Sequence, residues 1–189
     1  MPTPGKPAGP EQLRLLATLL ATPADDALAA LHELASGDLE LQEAFAELTP
    51  LPLDRWQGEH TRLFVSAFPK VPCPPFESAY RHGQMDGKAT IELEKFYRRI
   101  GLESKEIPAD YLGVILECAA WLMEQPGEEM AGHLAELWQQ HLALWLPQFS
   151  ADLQRESELR LYRLLGERLG ALLPASEDAP IPNPVMESP

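Results

Sequence analysis

The chain has 189 residues and carries 29 acidic against 15 basic side chains, a formal net charge of −14. At 45% hydrophobic and 23% charged it has a globular composition, suited to one domain or two small subdomains sharing a core. So acidic a surface repels phosphate backbones and anionic lipid, which argues against nucleic acid and membrane surfaces as partners and favours a cationic one.

In chain order, the first ten residues carry Pro2, Pro4, Pro7 and Pro10, and the last sixteen carry Pro174, Pro180, Pro182, Pro184 and Pro189. Both ends read as disordered tails (1–10 and 174–189), because such composition does not offset ordering entropy. The start lacks a basic segment followed by an apolar run, so no signal peptide is expected. No stretch approaches the ~18 consecutive apolar residues of a membrane span. Cys73 and Cys118 are the only cysteines and no CxxC occurs, which suits a reducing compartment. The expectation is a soluble, cytoplasmic protein whose folded part covers 11–173.

Within that span the dominant period is helical. Leu13, Leu16, Leu19 and Leu20 line a first helix that stops near Thr22-Pro23, where Thr22 is expected to cap a second helix presenting Leu28, Leu31 and Leu34. Leu41, Phe45 and Leu48 define a third helix. Asp54 is expected to cap a fourth, with Trp56, Leu63 and Phe64 near one face. Pro69, Pro72, Pro74 and Pro75 then exclude a regular helix from Ser66 to Gly83, and a loop this long is more often functional than its neighbours. Helix resumes from Thr90 to Arg99 with Ile91, Phe96 and Ile100 inward. A second interruption at Glu103–Ile107 marks where two halves would meet. Pro108 opens a strongly apolar helix through Met123, another runs from Leu134 to a stop at Pro147, and Ser150 caps the last. Nothing alternates with a two-residue period. The predicted fold class is all-α, a single bundle of seven or more helices with a long Pro-rich loop in its middle.

Motifs for chemistry are sparse. The sequence has no HExxH and no Glu-x-x-His, and His133 and His141 stand two helical turns apart, so no metal site is expected. No GxSxG, Walker-type loop or GxGxxG occurs. Cys73 lies near Lys70 but has no committed histidine partner. Neither an enzyme nor a bound cofactor is supported.

Two stretches stand out. Glu59-His60-Thr61-Arg62-Leu63-Phe64 runs into Pro74-Pro75-Phe76-Glu77-Ser78-Ala79-Tyr80, and Ile107-Pro108-Ala109-Asp110-Tyr111 runs into a helix carrying Glu117. In these segments the sequence resembles the TorD/DmsD family of redox-enzyme maturation chaperones. That family shows a Glu-Tyr/His-x-x-Leu-Phe segment, a Pro-Pro-aromatic-x-Ser-small-Tyr loop and a Glu-Pro-x-Asp-His helix start. Gly87-Lys88-Ala89-Thr90 looks like its short Gly-x-Ser/Ala-Thr link, and Phe96-Tyr97-Arg98-Arg99-Ile100-Gly101-Leu102 like its Phe-Tyr-Arg-x-x-Gly-Leu. The likeness covers about residues 11–173. It departs at Tyr111, where the family has histidine, and at Phe64–Pro69, which lacks the family's glycine before proline.

The resemblance implies a cytoplasmic chaperone for a molybdopterin oxidoreductase catalytic subunit. It would bind the client's twin-arginine signal peptide or apo form, delay export and aid cofactor insertion, as a monomer or homodimer. An alternative is a chaperone contacting the body of a non-exported enzyme; a helical nucleotide- or small-molecule-binding protein is a more distant one. For an apolar leader, Trp56, Leu63, Phe64, Pro75, Phe76 and Tyr80 are the candidate groove. For its arginines, Glu77, Asp110 and Glu117 are the candidate partners. Ser78, Gly87 and Tyr111 complete the expected partner-binding set. Each also has a structural reading: Trp56, Leu63 and Phe64 as core, Asp110 as a first-turn carboxylate facing the helix dipole, Ser78 as a cap.

Overall fold

Leu13, Leu16 and Leu20 recur at the spacing of one helical face and are all buried, so the first helix, α1 (Pro10–Leu19), is amphipathic. The computed structural model describes residues 8–85 and 87–172. Among these, nine further α-helices follow: α2 (Ala27–Leu34), α3 (Leu39–Leu48), α4 (Leu53–Phe64), α5 (Glu77–His82), α6 (Lys88–Arg99), α7 (Leu112–Glu124), α8 (Glu128–Leu137), α9 (Ala143–Glu156) and α10 (Arg160–Ala171). A π-turn, Trp138–Leu142, joins α8 to α9. The fold is all-α, and the one β-type pairing among the described residues is an isolated antiparallel bridge between Phe76 and Tyr111. No described helix is long and apolar enough to cross a membrane. Of the expected tails, 1–7 and 174–189 lie outside the described residues, while Pro10 opens α1 rather than belonging to a tail.

Two helix pairs organise the bundle. α1 lies along α7 and α9 lies along α10, and one continuous core runs through both pairs from Leu13 to Leu169. On α7, Ala119 and Ala120 are fully buried, small enough to let a neighbouring helix approach closely. At the second pair, a methyl group on Gly166 would meet the Ser150 carbonyl at 2.9 Å, and one on Gly170 would meet Ser150 Oγ at 2.6 Å. Ser150 Oγ donates to the Gly166 carbonyl across this close approach. α3 packs on α10, α2 on α3, and α5 on both α6 and α9.

Several expected boundaries differ. Thr22 caps nothing, because α2 starts five residues later with Asp26 at its N-cap. Asp54 lies inside the first turn of α4, behind Pro52 as N-cap. The actual side-chain cap is Asp38, which accepts from the Leu41 N–H at the start of α3. The Pro-rich segment holds a short helix after all, since α5 begins two residues after Pro75, beyond the reach of its ring. Ile91 faces solvent, with Leu93 taking the inward position.

Pro147 does not end a helix. It sits inside α9, one turn beyond the wide π-turn, so the chain passes the proline without stopping. Ser150 is therefore mid-helix, and the last helix starts later, at Arg160. Pro108 likewise precedes α7 by a turn instead of opening it.

Candidate functional site

The site grows from the meeting of two loops. Pro74 and Pro75 cannot donate backbone hydrogen bonds and hold the chain extended, while the Cys73 N–H, donating to the Leu63 carbonyl at 2.9 Å, anchors it to α4. Phe76 then pairs with Tyr111. The Leu112 N–H donates to the Pro75 carbonyl at 2.9 Å and the Glu77 N–H to the Asp110 carbonyl at 3.1 Å. The loop before α5 and the loop before α7 thus form one short ribbon, with the Phe76 and Tyr111 rings 5.5 Å apart.

Asp110 locks that ribbon. Its side chain is fully buried, and Oδ2 accepts from the Ser78 N–H at 3.0 Å and from Ser78 Oγ at 2.5 Å. The carboxylate therefore caps α5 from a different segment of the chain, satisfying a helix-start N–H that no neighbouring residue reaches. Oδ1 has no hydrogen-bond partner among the described residues. This replaces the first-turn role expected for Asp110: it lies before α7, and the helix start it serves is that of α5.

Glu77 is also fully buried. It pairs with Arg81 on the next turn and with His141 Nδ1 at 3.0 Å, so α5 is tied to the π-turn. Gly87, the N-cap of α6, passes beside Ser78.

Tyr111 closes the arrangement on the α1 side. Its hydroxyl donates to the Leu20 carbonyl at 3.0 Å, the same oxygen approached by His60 Nε2 at 3.1 Å. A carbonyl only accepts, so His60 carries its proton on Nε2. The Tyr111 ring fills the space a side chain on Gly113 would need, within 2.5 Å of a methyl group there. Burial pushes the Tyr111 phenol up to about 12, so it does not titrate as the family's histidine would.

Beside this ribbon opens a cleft of about 1020 Å³, floored by Phe76, Tyr111, Val114 and Trp121 and walled by Leu102 and Ile107 from the loop between α6 and α7. Its rim carries Glu103, Glu106 and Glu117 together with Arg14 and Lys105. On the other side of Phe76 and Tyr111 lies a smaller hollow of about 300 Å³, lined by Val65, Val71, Pro74 and Met85.

The expected residues divide between core and cleft. Trp56 is buried and donates Nε1–H to the Tyr162 hydroxyl at 3.0 Å, and Leu63, further along α4, is fully buried in the same core. Phe64 packs against Tyr162 and Phe149 and reaches the smaller hollow at its edge. Tyr80 turns toward Trp145 and Phe149 on α9. Pro75 is buried under the ribbon and lines the smaller hollow. Phe76, Tyr111 and Glu117 are on the cleft itself. Glu77 and Asp110 are fully buried and face internal partners, with only Asp110 Oδ1 left unpaired among the described residues.

Sequence reasoning missed Leu102, Ile107, Val114 and Trp121. The signal was present on α7, where Val114 and Trp121 repeat at seven residues on a face separate from the buried one. Burial pushes the thiols of Cys73 and Cys118 up to about 12, which keeps both protonated and unreactive at neutral pH.

A family model described as nitrate reductase delta subunit matches residues 12–151. The chain is 25% identical over 108 residues to the chaperone protein YcdY of Escherichia coli, covering 57% of this chain and 55% of that one. It is 35% identical over 109 residues to the chaperone protein TorD of Actinobacillus succinogenes, covering 55% and 54%. It is 29% identical over 117 residues to the Tat proofreading chaperone DmsD of Salmonella typhi, covering 59% and 53%. The chain spans about half the length of these curated relatives. A crystal structure described as a redox enzyme maturation protein from Archaeoglobus fulgidus superposes with a TM-score of 0.68 at 25% identity, covering 88% of this chain and 94% of that one. With the family model reaching from α1 into α9, the chain belongs to the nitrate reductase delta subunit family and is similar to the TorD/DmsD-like redox-enzyme maturation chaperones.

Proposed function

We propose that this protein is a cytoplasmic, non-enzymatic chaperone for the catalytic subunit of a molybdopterin oxidoreductase. It holds the subunit's N-terminal twin-arginine leader in the cleft beside Phe76 and Tyr111, delaying export while the apoenzyme stays open for cofactor insertion. The observation that carries this reading is the cleft: apolar on its floor, edged by carboxylates, and at about 1020 Å³ at the upper end of the ~300–1,000 Å³ typical of small-molecule sites. A leader of this kind has a basic start followed by an apolar stretch, and floor and rim match those two parts. The relatives named as a TorD chaperone and a Tat proofreading chaperone support the same reading.

Magnitudes decide which part dominates. Burying roughly 400 Å² of apolar leader surface contributes about 10 kcal/mol gross at ~25 cal/mol per Å². Association and ordering costs of about 4 kcal/mol or more bring the net to about −6 kcal/mol at best, a Kd of roughly tens of micromolar. That is tight enough to capture a nascent leader and loose enough to release it. Charge at the rim is exposed, screened beyond ~8 Å, and acts mainly on encounter and orientation.

The test is calorimetric titration of the client's leader peptide and of a version with its apolar stretch scrambled with polar residues. Binding of the first at tens of micromolar and none of the second is expected; equal affinity overturns the reading. Capture of a client lacking its leader, with no binding of the free peptide, would favour contact with the enzyme body instead.

A further inference from the structure

Phe76 and Tyr111 line both the large cleft and the smaller hollow. The ribbon is therefore a saddle between two apolar depressions, and the two differ sharply in charge. Glu103, Glu106 and Glu117 stand on the large cleft, whereas among the described residues no Asp or Glu lines the small one.

The basic groups near the large cleft offset its negative charge only in part. Arg14 is held in a two-bond pair with Glu124, at 2.6 and 2.7 Å. This leaves a looser 3.6 Å approach to Glu117, whose side chain stays 54% exposed. Lys105 pairs with Glu103 at 3.2 Å in the open. Glu106 has no ion-pair partner among the described residues.

The loop beside the small hollow exposes apolar side chains together with the cationic Lys70. Val65 is 61% exposed, Met85 50%, and Phe68, on the loop that carries Val65 and Val71, 99%. Large apolar side chains presented together this way mark a contact surface. On a molecule of net charge −14, a depression whose described lining holds no carboxylate, beside one edged by three, has a direction built into it.

We propose that the small hollow and the 65–71 loop are a second subsite for the same bound segment, and that the segment lies in one orientation only. This rests on the leader-binding reading. The basic amino end sits against Glu103, Glu106 and Glu117, the apolar run crosses the Phe76–Tyr111 saddle, and its carboxyl end reaches Val65, Phe68 and Met85. The occupant is a peptide of stated polarity, cationic first and apolar second. A segment of the reverse order would lay its charges against the uncharged hollow and lose both matches at once. The saddle contacts the middle of the run, so truncating the apolar run from its carboxyl end empties the second subsite first.

The experiment uses the full chain and two synthetic peptides, each with an Arg-Arg pair and an apolar run of about 10 residues. In one the arginines precede the run, and in the other they follow it. A photo-crosslinking group is placed at either end, and the attachment sites are read by mass spectrometry. The arginine end of the first peptide is expected to attach within 103–107 and its apolar end within 65–71. In binding measurements at low salt, Glu106→Lys with Glu117→Lys is expected to weaken the first peptide by about three- to tenfold, mostly through slower association. The same pair leaves a Gln-Gln version unchanged. Phe68→Ser is expected to weaken both versions alike, at unchanged melting.

Reversed attachment, or attachment confined to the large cleft, overturns the inference while leaving the leader-binding reading intact. So does an equal effect of charge reversal on the Arg-Arg and Gln-Gln peptides. Weak or absent binding of the reverse-order peptide is expected, whereas failure of the first peptide to bind at all overturns the leader-binding reading and the inference together.

Discussion

His60, Tyr111 and Leu20 meet at a single carbonyl oxygen, and that convergence accounts for two motif positions at once. His60 donates from Nε2 and Tyr111 from its hydroxyl, while His60 Nδ1 is buried without a partner. Protonating Nδ1 would place an uncompensated charge in the core, so burial lowers the pKa of His60 below its ordinary value of 6.5. A histidine depressed in the folded state binds its proton first in the unfolded state. Its contribution to stability is full above about pH 6.5 and is lost as pH falls toward the lowered folded value. We expect the urea midpoint of the wild-type protein to drop between pH 7.5 and pH 5.5 by more than that of His60→Gln. Parallel pH profiles for the two proteins would contradict this role. The histidine-to-tyrosine departure at position 111 was legible from sequence, and so was the loss of a titrating ring there. The acceptor it reaches, 91 residues away, was not, because no local pattern encodes a contact with a backbone carbonyl.

α5 is six residues long, too short to stand alone, and two buried carboxylates from different directions hold it. Asp110 caps its start through Ser78, and Glu77 ties it to the π-turn through His141. Asp110→Ala would leave the Ser78 N–H and hydroxyl buried without acceptors, a loss of about 1–3 kcal/mol. A lowered melting temperature, reproduced in part by Ser78→Ala, is the expected result. Unchanged melting with weakened peptide capture would instead make Asp110 a direct contact. Helices whose apolar face repeats at helical spacing, such as α1 and α7, were readable from sequence, since period alone reports them. The caps were not: Thr22 and Asp54 have the right chemistry, but Asp26 and Pro52 occupy the positions. The passage of α9 through Pro147 was hidden for a related reason, because a π-turn one turn earlier carries no composition signal. Asp110 and Ser78, 32 residues apart, stood out separately as motif positions, and only the fold joins them.

At the scale of the molecule, the acidic surface and the apolar cleft are parts of one design. In the proposed role the negative field would draw a cationic leader toward the rim from any direction, and the cleft floor would supply the affinity that salt does not screen. Of the candidate residues read from sequence, Phe76, Tyr111 and Glu117 line the large cleft, whereas Trp56 and Leu63, read as groove residues, lie in the core. Aromatic and leucine side chains at helical spacing look the same whether they face inward or line a cleft, and only packing against Tyr162 and its neighbours separates them. The cleft wall itself came from the interruption between α6 and α7, where Ile107 is half-exposed. Calorimetric titration of the client leader into the wild-type protein and into Val114→Arg, whose new side chain would fill the cleft floor, tests the central claim most directly. We predict binding to the wild type at tens of micromolar and a loss of about tenfold or more, some 1.4 kcal/mol, in the variant at unchanged melting. Equal affinity for both proteins would contradict the account.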